Sequence, residues 1–161
     1  MRHLFKKKSR SIELFSPTDG EIIPIEAVPD KVFSSKMMGE GFAVKPNKDE
    51  VFSPVNGEVI SIFPTKHAIA LKTSHDLEIL LHIGIDTVEL QGKPFELFVE
   101  PGEIVTSNTK LAKVNRSYLT DHGKSTDIMV VLTNSAELDG HLKDMKYGQS
   151  RRSISIGKVS F

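Results

Sequence analysis

The chain contains no cysteine among its 161 residues, which excludes disulfides and thiolate metal sites and fits a reducing compartment. It has no excess charge of either sign. Twenty-one basic residues balance 21 acidic ones, so no global field is available to attract nucleic acid. It lacks an apolar run long enough to cross a bilayer, and no apolar stretch follows the N-terminal charges as a secretion signal requires. These absences describe a soluble, cytoplasmic chain, expected to act as a monomer. At this length one domain is expected, burying roughly 70% of the surface its unfolded chain exposes.

Charge is concentrated at the start. "MRHLFKKKSR" carries Arg2, Lys6, Lys7, Lys8 and Arg10 without an acid. Residues 1–11 read as a solvated basic tail. Leu4 and Phe5 also allow a peripheral contact with anionic lipid, at roughly 1 kcal/mol per basic residue near the surface.

Next comes an internal echo. "SPTDGEIIPI", beginning at Ser16, returns as "SPVNGEVISI", beginning at Ser53. Asp19-Gly20 and Asn56-Gly57 tolerate positive φ, so each copy reads as a tight turn feeding a strand. Further strands are expected at 41–46, 67–73, 77–84, 95–99, 110–114 and 127–134, separated by Pro, Gly and Asn. Only residues 116–124 suggest a helical turn, ended by Gly123. The fold class is all-β: an antiparallel, barrel-like β-sandwich with a duplicated turn-strand unit. After Asn134 the pattern dissolves. Residues 135–161 form an extension without assigned role; 150–161 reads as one more strand or an untidy tail, and its serines and arginines favour the tail.

One stretch interrupts this pattern. In "LLHIGIDTVEL", from Leu80 to Leu90, a period of two sends Ile79, Leu81, Ile83 and Ile85 to the core. The opposite face receives Leu80, His82, Gly84 and Asp86. Gly84 would let another molecule come close. A second histidine, His67, lies in "FPTKHAIAL", and turn residues separate the two strands. A hairpin centred near Ser74 and His75 sets His67 opposite His82, with Cβ atoms about 4.5–5.5 Å apart. A slip of one residue would break this pairing. His75 belongs to the loop tip, and His3, His122 and His141 to surface contexts.

Two neighbouring imidazoles allow a metal pair, a nucleophile with its helper, or stacked half-core histidines. Two ligands are too few for zinc, which takes four, or three and a water. A neutral imidazole among aliphatic side chains keeps a lone pair at pH 7 and can accept a phosphoryl group. The second ring, with Thr65 beside it, could hydrogen-bond the phosphoryl oxygens. Asp86 would stand about 13 Å from His82 along a straight strand, a rim charge rather than a base.

Together "LLHIGIDTVEL", "FPTKHAIAL" and "VPDKVFSSKMMGEGFAVKP" resemble the glucose-type enzyme IIA of the bacterial phosphoenolpyruvate-dependent sugar phosphotransferase system, over about residues 12–134. The resemblance implies an antiparallel β-sandwich and a phosphocarrier. It implies that His82 takes the phosphoryl group from the histidine-containing phosphocarrier protein and passes it to a cysteine on a permease IIB domain. It further implies that His67 steadies the group with help from Thr65, and that Asp30 and Asp86 suit an arginine on the donor. Val32, Phe33, Met38, Phe63 and Leu80 would present an apolar docking face. No metal or other cofactor is called for. Regulatory targets sensitive to the phosphorylation state are a further implied class of partner.

The chain departs from the pattern where "SNTKL" (107–111) replaces a glycine-aspartate turn and where "DIMVV" (127–131) lacks a proline. Two other readings compete. "VEPGEIVTSNTKLAKV" also resembles the turn-strand repeats of zinc-dependent lysostaphin-type peptidases, but these need a His-x-His pair and position 84 is glycine. A biotinyl- or lipoyl-type carrier, prompted by "SPVNGEVISI", needs a lysine at a hairpin tip; "DMKY" (144–147) lies outside the repeat.

Overall fold

The computed structural model describes residues 10–161, so most of the basic tail, and with it the expectation of a lipid contact, lies outside the described residues. The first half of the chain supplies β1 (Ser11–Phe15), β2 (Gly20–Pro24), helix α1 (Lys31–Ser34), β3 (Glu40–Pro46), β4 (Glu50–Phe52), β5 (Gly57–Ile62) and β6 (Ala68–Lys72). Then follow β7 (Glu78–Ile83), β8 (Phe95–Leu97), β9 (Ile104–Val105), β10 (Lys110–Val114), helix α2 (Arg116–Asp121) and β11 (Ile128–Leu132). β12 (His141–Lys143), β13 (Gly148–Ser150) and β14 (Ser155–Ser160) complete it.

The strands form one eight-stranded antiparallel sheet, ordered β13-β2-β3-β11-β7-β6-β5-β9, and two three-stranded sheets, β1-β14-β12 and β4-β10-β8. None closes on itself, so the body is a sandwich rather than a barrel. The main core lies between the layers and takes Leu14, Phe42, Val59, Leu71, Leu81, Ile83, Leu111, Val130 and their neighbours. Central strands are buried on both faces. Ile128, Val130 and Leu132 of β11 enter the main core, whereas Met129 and Val131 enter a second, smaller cluster on the other face. That is why β11 reads as an unbroken apolar run.

The duplicated unit recurs as structure. Ser16 Oγ donates to the Thr18 carbonyl and Ser53 Oγ to the Val55 carbonyl, both at 2.6 Å. The expected positive φ is absent from Asp19-Gly20 and Asn56-Gly57. Their glycines are needed for a different reason: a Cβ on Gly20 would collide with the Lys45 carbonyl oxygen, and one on Gly57 with that of Lys72.

The tail reading of 150–161 is corrected. β14 pairs with both β1 and β12, β13 pairs with β2, and Ile156 and Val159 are buried in the main core. Two buried apolar residues on an otherwise polar strand leave too weak a pattern to read. Helix α1 was also missed. Asp30 caps it by accepting from the Val32 amide at 2.8 Å, and four residues give no visible helical period. Helix α2 and the left-handed Gly123 behind it stand as expected. Among the described residues, no helix is long and apolar enough to cross a membrane.

Candidate functional site

The second cluster is the floor of the site. Ile23, Ile25, Val28, Phe33, Ala43, Ala68, Leu80, Ile85, Met129 and Val131 pack on the outer face of the large sheet, with α1 laid over them. One transverse row of this face reads Ile23, Ala43, Met129, His82, Ala68 across β2, β3, β11, β7 and β6. His82 is the polar member of that row.

The hairpin register differs by one residue from the expected one, with Ala68 rather than His67 opposite His82. The slip does not separate the rings. His67 precedes β6, just after Lys66 at φ 61°, and its carbonyl still accepts from the Ile83 amide at 2.7 Å. Freed from the pleat there, its ring returns over the outer face. The imidazole centroids lie 4.9 Å apart at 75°. Phe33 meets His82 edge-on at 5.0 Å, and Phe63 meets His67 at 5.4 Å.

Each ring is held at Nδ1. His82 Nδ1 lies 2.9 Å from the Gly84 carbonyl oxygen. A carbonyl can only accept, so Nδ1 of neutral His82 carries the proton and Nε2 keeps its lone pair. His67 Nδ1 lies 2.6 Å from Thr65 Oγ1, a group that can donate or accept. Burial and the neighbouring His67 pull the His82 pKa down to about 4, while the Gly84 hydrogen bond, Asp30 and Asp86 oppose the fall. Burial lowers the pKa of His67 as well. Both rings are therefore neutral at pH 7.

The strand does not run straight beyond His82. Gly84 and Asp86 take positive φ, and the chain curls into a short 3-10 helix over Thr87–Leu90. Asp86 therefore comes near enough to bear on the His82 charge, as Asp30 does from the start of α1. The same curl moves Ile85 from the expected main core into the second cluster. Nor is Gly84 open to an incoming molecule: it is buried, and Thr87 fills the space over its Cα.

The expected apolar face divides into two layers. Val32 and Phe63 are exposed at 43% and 41%, whereas Phe33 and Leu80 are buried at 5% and 8%, and Met38 is half-buried against the second cluster. Phe33 and Leu80 are thus supports beneath the surface. Met37, 76% exposed, and Val88 are apolar surface residues of the framing segments that the sequence reading passed over. Of the other histidines, His75 lies in the β6–β7 turn against Phe161, His122 stacks on Tyr118, and His141 pairs with Asp139. Among the described residues, no group of three or more His, Asp or Glu side chains could hold a metal ion, so the zinc-peptidase alternative has no support.

Two neighbouring imidazoles, each held at Nδ1, thus stand over an apolar floor on the outer face of the large sheet. Residues 12–138 match the family described as phosphoenolpyruvate-dependent sugar phosphotransferase system, EIIA 1. The glucose-specific EIIA component of Staphylococcus epidermidis is 42% identical over 142 residues, covering 88% of this chain and 86% of that protein. The corresponding Staphylococcus aureus component is 44% identical over 130 residues, covering 81% and 78%. The solved glucose permease IIA from Mycoplasma capricolum superposes with a TM-score of 0.83 at 33% identity, covering 92% of this chain and 96% of that one. The chain belongs to the EIIA 1 family and is a phosphocarrier of the sugar phosphotransferase system.

Proposed function

We propose that this chain accepts a phosphoryl group on His82 Nε2 from the phosphohistidine of the histidine-containing phosphocarrier protein and passes it to a cysteine of a permease IIB domain. The observation that carries the reading is the His82 Nδ1 contact to the Gly84 carbonyl at 2.9 Å, which leaves Nε2 as the free nucleophile. The relatives named for glucose make glucose the first sugar to test.

In the first transfer the Nε2 lone pair forms the new P–N bond as the donor's P–N bond breaks, and the donor nitrogen keeps the electron pair. No proton need leave His82. With the Nδ1 proton in place the phosphorylated ring is formally cationic. The Gly84 carbonyl, Asp30 and Asp86 all favour that charge. A cationic ring is also a good leaving group, because onward transfer to the thiolate releases neutral imidazole.

His67 completes the site when Thr65 donates to its Nδ1, which leaves Nε2–H to donate to a phosphoryl oxygen. Positioning and charge management are what phosphoryl transfer asks of a protein. Asp30 and Asp86 steer a basic donor, and the exposed Val32 and Phe63 add modest apolar contact.

The test is transfer of label from phosphoenolpyruvate through the general phosphotransferase proteins, followed by transfer to a IIB domain. His82→Ala should take no acid-labile label. His67→Ala should accept label yet pass it on poorly. Full labelling of His82→Ala would falsify the assignment.

A further inference from the structure

Two residues that the transfer does not use, Thr87 and Asp127, hold the Gly84 turn. The peptide unit joining Ile83 and Gly84 is held at both of its polar ends. Its carbonyl accepts the Thr87 hydroxyl at 2.5 Å, and its N–H donates to the Asp127 main-chain carbonyl at 2.8 Å. A peptide is planar, so fixing both ends fixes the plane.

The next carbonyl along, that of Gly84, is the one that meets His82 Nδ1. Its direction then depends on the Gly84 dihedrals, and φ there is +76°. Thr87 constrains these too. A Cβ on Gly84 would collide with Thr87 Cγ2, so the methyl occupies the space against which Gly84 turns. Thr87 itself is fully buried, and a β-branched side chain is stiff at χ1. One side chain therefore binds the Ile83 carbonyl with its hydroxyl and closes the space over Gly84 with its methyl.

We infer that Thr87 is a positioning residue that fixes which nitrogen of His82 reacts: its hydroxyl orients the Gly84 turn, the turn holds the Nδ1 proton, and Nε2 is left free. Asp127 provides the second anchor through its main chain, so its side chain is dispensable for this purpose. The inference rests on His82 being the phosphoryl carrier, but its first readout needs no phosphoryl group.

In the unphosphorylated protein, ¹⁵N NMR of labelled histidine reports the tautomer directly. Wild type should show His82 protonated at Nδ1. Thr87→Val keeps a branched side chain without the hydroxyl and should populate the Nε2–H tautomer. Its phosphoryl acceptance should slow about tenfold, the worth of one hydrogen bond, with KM for the donor unchanged. Thr87→Ser should keep the Nδ1–H tautomer and stay within about twofold of the wild-type rate. A folded Thr87→Val chain with wild-type tautomer and rate overturns the inference, and so does equal slowing in both variants. Should Thr87→Val not fold, the wild-type chain still decides: the Thr87 hydroxyl proton must exchange slowly, and rapid exchange contradicts its bond to Ile83. If label enters a residue other than His82 while the tautomer behaves as described, the functional reading fails, and of the inference only the hold of Thr87 on the His82 tautomer stands.

Discussion

His82 and His67 are neighbours held in different ways. The ring of His82 leans on a main-chain carbonyl that can only accept, and that carbonyl belongs to a turn fixed by Thr87 and Asp127. The ring of His67 leans on the hydroxyl of Thr65, which can donate or accept. The first arrangement commits one nitrogen to a proton and the other to a lone pair. The second lets the ring change tautomer according to what lies in front of it. A nucleophile gains from the first and a hydrogen-bonding helper from the second.

The harshest way to break this contrast is Gly84→Ala. A Cβ there meets Thr87 in a left-handed backbone, so about 2–5 kcal/mol of stability should be lost, read from denaturant unfolding. The Thr65–His67 contact lies outside that turn, and its NMR signature should survive. A melting curve like wild type would mean that the turn is not tightly built.

Next comes pH. The folded His82 has a pKa of about 4 against the ordinary histidine value of 6.5, so the unfolded chain takes up its proton first as the pH falls. Stability is therefore complete above about pH 6.5 and is lost progressively down to about pH 4, by up to about 3 kcal/mol from this ring. His67 pulls in the same direction. The contribution of His82 is isolated as the difference between wild type and His82→Gln, whose unfolding free energies should converge on acidification. Parallel curves would show that His82 is not held neutral by burial.

Thr65→Val tests the other arm. It removes the hydroxyl from His67 Nδ1 and should slow transfer to the IIB domain about tenfold, while acceptance from the donor changes little. Restoration by Thr65→Ser would tie the effect to the hydroxyl, and a loss confined to acceptance would reverse the roles given to the two rings. The smallest effect is expected at the rim. Asp30→Asn with Asp86→Asn should slow transfer from the donor by a few-fold at low salt and hardly at all at high salt. A loss independent of salt would argue for direct contact instead of steering.

The sandwich was legible because its strands carry long apolar runs between Pro, Gly and Asn. The pairing of the two rings was legible from chemistry more than from register. The hairpin is offset by one residue, and the rings meet only because the chain leaves the ladder at His67 behind Lys66. Such a departure depends on a single positive φ at a lysine, which no periodicity announces. Gly20, Gly57 and Gly84 stood out in the sequence, but the neighbours that require them come from distant or curled segments, and composition cannot supply those contacts. Phe33 and Leu80 are buried where the resemblance implied an exposed docking face, because neither a family likeness nor, for Leu80, a period of two reveals a second core beneath a four-residue helix. The last strand was lost to its polar residues, although Ile156 and Val159 alone tie it into the core.

The most direct measurement is ³¹P and ¹⁵N NMR of the chain phosphorylated by its donor. Phosphorus should be bonded to Nε2 of His82, with Nδ1 still protonated against the Gly84 carbonyl. Phosphorus on Nδ1 of His82, or on His67, would contradict the division of labour between the two rings.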